Sequence, residues 1–437
     1  IIAILAAVLI PTFASLIQKA NISKDTQVIR NLNTAIATAT EKPETMRDAL
    51  KIAAEAGYLV DKINAAANGN DILWDSENKV FCYMNAETGA VAYIPETKVE
   101  NANVAKYQFW RVYDEKHPVP AMNDQTYSVY WAGTAAPGVT EYKVGFDAGN
   151  CTEALTITYT NTTAGQNVMF YMNGGKLTVS DTTKSTQSLY GFAAEAEITT
   201  GNECFYVYGT IAKATVNAGT VIAKKNSILV VNSAAEGSTV NKEGGIVMAV
   251  AGKTFDQNSN VQISTPDEIS GFALEISDAA GLAAFRDSVN AGMTYDGLTV
   301  KLTADIDLST QGNWNPIGNR YALGTDGTPV DTTTETNKKY RKAFMGTFDG
   351  QGHTIIGLLI NTSDASYKGV TMKDSTSTYA ALFGYVDKAT VKNFTVNGLV
   401  AGCDVAGVIG ILGEKCIVDG IVSNVTVGGK AGENEAK

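Results

Sequence analysis

The chain has 437 residues, of which 34 are Lys or Arg and 45 are Asp or Glu, giving a formal net charge of −11 at pH 7. That balance argues against a nucleic-acid partner, because phosphate binding needs clustered Lys and Arg. Cys82, Cys151, Cys204, Cys403 and Cys416 form no CxxC pair, so neither a zinc site nor a dense disulfide framework is signalled, and the length predicts about two to four domains.

The run Ile1 to Phe13, IIAILAAVLIPTF, has Thr12 as its only polar residue. Beyond it Ala14, Leu16, Ile17, Ala20, Ile22, Val28, Ile29, Leu32, Ala35 and Ile36 continue an apolar stripe at spacings of three and four, the pattern of a helix. A helix from residue 1 to about 38 would be roughly 57 Å long, more than a small domain can cover. Its first third calls for a membrane or for other helices like itself. The apolar run before Pro11 is short for a membrane span, which takes about 20 residues. The tail of a signal peptide is the competing reading, but the stripe continues where a cleavage site would change its character.

This stretch resembles the N-terminal segment of type IV pilins and of the pseudopilins of type II secretion, with Pro11 at that family's helix-bending proline. The cleavage glycine, the methylated first residue and the glutamate of the family motif would lie upstream of Ile1. The resemblance implies a filament-assembly helix carried by Ile1, Ile4, Leu5, Val8, Leu9, Pro11, Phe13, Leu16 and Ile17, seated in the membrane before assembly and packed on its own copies afterwards.

Next, Glu44 to Ala56 reads as a second helix with Met46, Ala49, Leu50, Ala53 and Ala54 on one face and Gly57 as its cap. Ile72 to Trp74, Lys79 to Met84 and Ala90 to Ile94 read as strands, and Trp74 and Tyr83 as the core of a small α/β head. Residues 95 to 140 hold Pro95, Pro118, Pro120 and Pro137 and read as a connector. His117 there has no second histidine nearby to build a site.

From Val139 to Val250 the text turns to short strands punctuated by glycine. They are Ala154 to Tyr159, Val168 to Met172, Lys176 to Val179, Ala196 to Thr199, Cys204 to Tyr208, Lys213 to Val216, Thr220 to Ile222 and Ile228 to Val231. Such strands suit a sandwich, a barrel or a solenoid. Their small steps favour the solenoid, in which each coil buries its apolar side only by stacking on the next. Val261 to Gly271 reads as a linker, and Ser277 to Gly292 as a capped helix with Leu282, Phe285 and Val289 on one face.

Thr299 to Leu302 and Ile306 to Leu308 then read as strands. Leu302-Thr-Ala-Asp-Ile-Asp-Leu308, Trp314-Asn-Pro-Ile-Gly318, Gly346-Thr-Phe-Asp-Gly-Gln-Gly-His-Thr-Ile355, Ala381-Leu-Phe-Gly384 and Val391-Lys-Asn-Phe-Thr-Val396 follow. They resemble bacterial surface proteins with a right-handed parallel β-helix bearing the GLUG repeat, over residues 275 to 429. An internal repeat stands beside the resemblance: Leu382-Phe-Gly384 recurs as Val408-Ile-Gly410, an offset of 410 − 384 = 26, which also carries Val391 onto Ile417 and Val396 onto Val422. Residues 323 to 341 interrupt this pattern as a polar loop, the kind of place where binding tends to live.

Parallel β-helices also host polysaccharide lyases and hydrolases, so Asp305, Asp307, Asp349 and His353, with Arg320, are the residues to weigh for catalysis. Carboxylates two apart on a strand point the same way and suit acid/base work or calcium. Turn chemistry explains them better: Asp349-Gly-Gln-Gly352 is a turn, and Asp305 and Asp307 alternate with the core-facing Ile306 and Leu308. No phosphate loop or metal-ligand cluster is present in the text. No catalytic, cofactor-binding or metal-binding residue is assigned, and no cofactor.

The expected fold is α+β, mostly β: a hydrophobic helix over 1–40, a head and connector over 41–138, a β-rich solenoid over 139–260, a linker over 261–276 and a parallel β-helix with a cap helix over 277–437. The expected function is non-enzymatic, as the structural subunit of an extracellular type IV pilus-like filament on a bacterial surface. Its partners would be copies of itself, the cytoplasmic membrane before assembly, and surface glycans or proteins. The alternatives are a secretion pseudopilin and a tethered polysaccharide-active β-helix enzyme.

Overall fold

The structure, a computed structural model, describes residues 2–40, 42–43, 48–49, 52–53, 56, 65–67, 70–75, 77–85, 90–96, 104–112, 126–129, 141–147, 157–161, 167–181, 186–255, 260–320, 322–323, 329–330, 341–362, 364, 367, 379–402 and 404–429. The helix α1, Ile2–Thr38, opens the chain, with side chains described from Ser15 onward. Ile29, Leu32 and Ile36, spaced by three and four, are buried with Trp74, Phe81, Tyr83, Ala49 and Ala53, the apolar stripe doing what a helix stripe does. The rest of the stretch Glu44 to Ala56 lies largely outside the described residues.

That stripe packs on an antiparallel meander of β1 (Asp71–Asp75), β2 (Val80–Met84) and β3 (Val91–Tyr93). Trp74 and Tyr83 are core residues, as expected, and Trp74 meets Phe81 edge-on at 5.1 Å. The meander continues into the rest of the chain. The strand β4 (Val104–Val112) pairs antiparallel with β1 on one side and parallel with a later strand on the other, so the head opens directly into a parallel sheet.

The parallel region runs through β5 (Thr126–Val129), β6 (Glu141–Asp147), β7 (Ile157–Asn161), β8 (Asn167–Asn173), β9 (Lys176–Asp181) and β10 (Thr186–Ala193). It goes on through β11 (Glu195–Val207), β12 (Thr210–Lys224), β13 (Ile228–Ala234), β14 (Thr239–Glu243), β15 (Ile246–Ala249) and β16 (Asn260–Val261). Phe170 lies opposite Leu189 and Leu189 opposite Val207, so the chain returns to the same place after 189 − 170 = 19 and 207 − 189 = 18 residues. These residues stack in one apolar core with Ile198, Val221 and Val240. The strand β11 pairs with β9 through its first half and with β10 through its second, which curls the sheet. Glycine turns the corner: Gly191 sits at φ +72°, and a Cβ there would lie 2.3 Å from the carbonyl oxygen of Met172.

The stretch read as a linker contains the short helix α2, Pro266–Gly271, closed by a capping box between Thr265 and Glu268. Lys242 pairs with Glu268, and Ser264 accepts from the Val247 N–H at 3.0 Å, so the segment is fastened to the first ladder. After β17 (Ala273–Ile276) comes α3, Ala279–Ala291, with Asp278 as N-cap and Gly292 as C-cap, inside the stretch Ser277 to Gly292 read as a capped helix. Its Leu282, Phe285 and Val289 share a core with Ile228 and Ile246 of the first ladder and with the second.

The second ladder comprises β18 (Thr299–Leu302), β19 (Ile306–Asp307), the hairpin β20 (Ala322–Leu323) and β21 (Pro329–Val330), β22 (Thr347–Asp349), β23 (Thr354–Asn361) and β24 (Tyr379–Ala380). It ends with β25 (Phe383–Val386), β26 (Thr390–Gly402), β27 (Asp404–Val405), β28 (Ile409–Leu412) and β29 (Ile417–Gly429). Apart from the hairpin its pairs are parallel. Phe285, Tyr295, Phe344, Phe348, Phe383 and Phe394 form its aromatic centre.

Two expectations need correction. Phe383 does lie opposite Ile409, an offset of 26, but Val391 faces Val418 and Val396 faces Ser423, each 27 apart. The turn between 412 and 417 holds one residue more than that between 386 and 390, and a one-residue slip in the text becomes a different partner in the sheet. The long pilin-type spine is also not shown. From Ser15 to Thr38 the helix carries Gln18, Lys19, Lys24, Asp25 and Arg30, and among the described residues no helix is long and apolar enough to cross a membrane. The established fold is mostly β in parallel sheets behind an N-terminal helix.

Candidate interaction surfaces

Helix α1 is held by polar anchors that lie far away in sequence. Asn33 Nδ2 donates to the carbonyls of Phe81 and Ile94, both at 2.9 Å, and its Oδ1 accepts from the Phe81 N–H at 2.8 Å. One turn pair earlier, the buried Asp25 accepts from the N–H groups of Ala66 and Ala67 and from the Tyr83 hydroxyl. The helix is therefore fixed from residue 22 onward, while Leu16 and Ile17 stand 56% and 61% exposed beyond the sheet. Of the nine residues expected to drive assembly these two are described; the side chains of Ile1, Ile4, Leu5, Val8, Leu9, Pro11 and Phe13 lie outside the described residues.

The carboxylates weighed for catalysis are engaged by backbone N–H groups, those of Asp307 and Asp349 within turns and that of Asp305 across to the strand β23. Asp305 accepts from the Thr354 N–H at 2.8 Å and faces His353 Nδ1 at 3.3 Å, and these two contacts hold its carboxyl below the ordinary range. Asp307 accepts from the Ser309 N–H, which lowers it likewise. Asp349 is buried, which works to raise it, but the Gln351 N–H, Asn393 and Lys392 outweigh that and the net shift is downward. Among the described residues no group of His, Cys, Asp and Glu could hold a metal ion. His117 lies outside the described residues.

Cys82, Cys204 and Cys416 are free thiols, and Cys151 and Cys403 lie outside the described residues. Cys416 Sγ contacts the Val386 carbonyl at 3.6 Å. Burial, with Asp75 adding to it, pushes the Cys82 thiol up to about 12, so it stays protonated and inert.

The outer face of the first ladder carries a feature that the sequence reading missed. Tyr171, Tyr190 and Tyr208 stack ring on ring at 4.7 and 5.0 Å, the spacing of neighbouring strands. The signal was present as Phe170-Tyr171, Leu189-Tyr190 and Val207-Tyr208, an inward apolar residue followed by an outward tyrosine every 18 or 19 positions. Beside the stack, ion pairs tie adjacent strands: Lys176 with Glu197, Lys213 with Glu195 and Lys224 with Glu243.

No protein family matches the chain, and no solved structure matches it. The resemblances to pilins and to GLUG-bearing surface proteins are therefore not upheld. A curated protein that does match is halomucin of Haloquadratum walsbyi, 28% identical over 225 residues, which cover 50% of this chain and 2% of that protein. That likeness is compatible with a place at the cell surface.

Proposed function

We propose that the chain is a structural, non-enzymatic subunit of an extracellular filament, a right-handed parallel β-solenoid whose outer faces meet glycans or proteins and whose N-terminal helix joins it to copies of itself. The returns of 18 and 19 residues and then of 26 and 27 support the solenoid, since each is the length of one coil. The right hand follows from the general rule for parallel crossovers. Asp305, Asp307 and Asp349, each engaged by a backbone N–H, support a role without catalysis.

The observation that carries the assembly is the pair Leu16 and Ile17, more than half exposed on a helix whose following turns are locked to the sheet. Apolar residues so placed gain most by burial against an equivalent helix. Negative-stain microscopy of the purified chain should show elongated multimers. The Leu16→Lys, Ile17→Lys variant should give dispersed particles with the same circular dichroism. Dispersed particles from the unchanged chain would overturn the proposal.

A further inference from the structure

The tyrosine stack on the first ladder stops where the corner that carries it changes length. Three successive coils turn that corner with two residues, the first a tyrosine. Tyr171 follows Phe170, Tyr190 follows Leu189 and Tyr208 follows Val207, and the corner closes at Asn173, Phe192 and Thr210, all in register. The fourth coil turns it with four residues, Lys224 to Ser227, between Ala223 and Ile228. This wider corner supplies no ring, and its polar groups are engaged elsewhere. Lys224 lies over the Tyr206 ring at 4.9 Å and pairs with Glu243, while Asn226 makes two hydrogen bonds with the Glu275 backbone, at 2.6 and 2.8 Å. Tyr190 therefore covers one face of Tyr208, no ring stacks on its other face among the described residues, and Tyr208 stands 39% exposed.

The chemistry of that end suits a neutral ligand with a flat face. Tyr206, two residues earlier, is tilted 43° to Tyr208 with its centre 6.4 Å away, so the two rings form one angled wall. An aromatic face carries partial negative charge and attracts polarised C–H groups. A β-linked glucose or N-acetylglucosamine unit presents such a face, because its substituents lie equatorial and its axial hydrogens point to either side. A net charge at the wall would select an ionic ligand, but Lys224 is neutralised by Glu243, and the overall charge of −11 opposes a polyanion. Proline-rich peptides dock in aromatic-lined grooves. Here the stacked rings are 4.7 and 5.0 Å apart and leave no room between them.

We propose that the outer face of Tyr208, walled by Tyr206, is a glycan-binding site that stacks one unit of a neutral chain of β-linked glucose or N-acetylglucosamine. It rests on the reading of the outer faces as surfaces that meet glycans, and gives that reading a place and a sugar class. The rings behind it serve as its support: Tyr171 and Tyr190 lie within 14° of parallel, and Tyr190 and Tyr208 within 6°. A ring held in this way is already ordered, so little side-chain entropy is lost when the sugar arrives.

Isothermal titration of the full chain with cellohexaose and with chitohexaose should show saturable binding of at least one. Tyr208→Ala should weaken it about tenfold, the loss of one stacked face, with the circular dichroism unchanged. Tyr208→Phe keeps the face and should stay within about threefold of the unchanged chain. Saturation-transfer NMR from the aromatic protons of the unchanged chain, which needs no variant, should mark the C–H hydrogens of the bound sugar. Binding that survives Tyr208→Ala, or a hexagalacturonate bound as tightly as the neutral sugars, would overturn the site and leave the glycan reading standing. If neither hexasaccharide binds, the site is overturned, and a glycan array separates the two ideas: capture by other sugars would spare the wider reading, and capture by none would remove it as well. A proline-rich peptide bound through Tyr208 in place of either sugar would also overturn the proposal.

Discussion

Replacing Asn33 by Ala would remove three polar contacts from the seam between α1 and the meander. The Phe81 N–H and the carbonyls of Phe81 and Ile94 lose their partner together. A stranded buried group costs about 1–3 kcal/mol. The seam is only partly buried and each carbonyl keeps a second lone pair, so the low end applies to each group, for a total of about 3 kcal/mol. That is a large fraction of the stability of an ordinary domain, about 5–15 kcal/mol. Urea unfolding followed by tryptophan fluorescence reads it through Trp74, buried in the same cluster. Amide exchange at Phe81 reads it locally, because that N–H should begin to exchange through opening of the helix seam alone. Asn33→Asp keeps the acceptor but turns a carboxylate toward two carbonyls, and should be worse than Ala. A shift below about 1 kcal/mol with unchanged exchange at Phe81 would refute the reasoning and leave α1 held by its apolar face and by Asp25.

Gly191→Ala should destabilise the first ladder by roughly 2 kcal/mol or more, since it combines the cost of a positive φ with backbone contact, and a thermal unfolding curve should move down accordingly; an unchanged midpoint would remove the corner from the account. For Asp349 the folded carboxyl titrates below its unfolded value. Its contribution is therefore fully present above the unfolded pKa of about 3.9 and is lost as pH falls through the lower folded one. Acid unfolding of the chain should lose part of its steepness below pH about 4 in Asp349→Asn, and identical acid curves for the two proteins would show that the turn gains nothing from the charge.

What the sequence made legible was local. The cap helix was legible within the stretch Ser277 to Gly292 because its caps, Asp278 and Gly292, act on neighbours three and four positions away. The turn character of Asp349-Gly-Gln-Gly352 was readable for the same reason, since its carboxylate binds an N–H two residues on. The helix α2 was missed although Thr265-Pro-Asp-Glu268 spells a capping box with proline at the first helical position, a signal overlooked because the segment is so short. The anchors Asn33 and Asp25 could not be read at all. Their partners lie 48, 61, 41 and 58 residues away, and a polar residue on a helix surface gives no sign of which distant strand will come to it.

The location of recognition follows from how a parallel ladder treats its ends. Along its length each coil is covered on both sides by its neighbours, and outward residues spend their polarity on those neighbours, as the pairs Lys176 with Glu197 and Lys224 with Glu243 do. What such a face keeps for a partner is its aromatic surface, the stacked Tyr171, Tyr190 and Tyr208. The ends are different. The start is closed by β1, β2, β3 and α1, at the cost of leaving Leu16 and Ile17 in water. The joint between ladders is closed by α3, whose Phe285 lies in one core with Ile228 and Ile246. Apolar burial on meeting another molecule is therefore available at Leu16 and Ile17, while the outer face of the first ladder offers the stacked rings of Tyr171, Tyr190 and Tyr208.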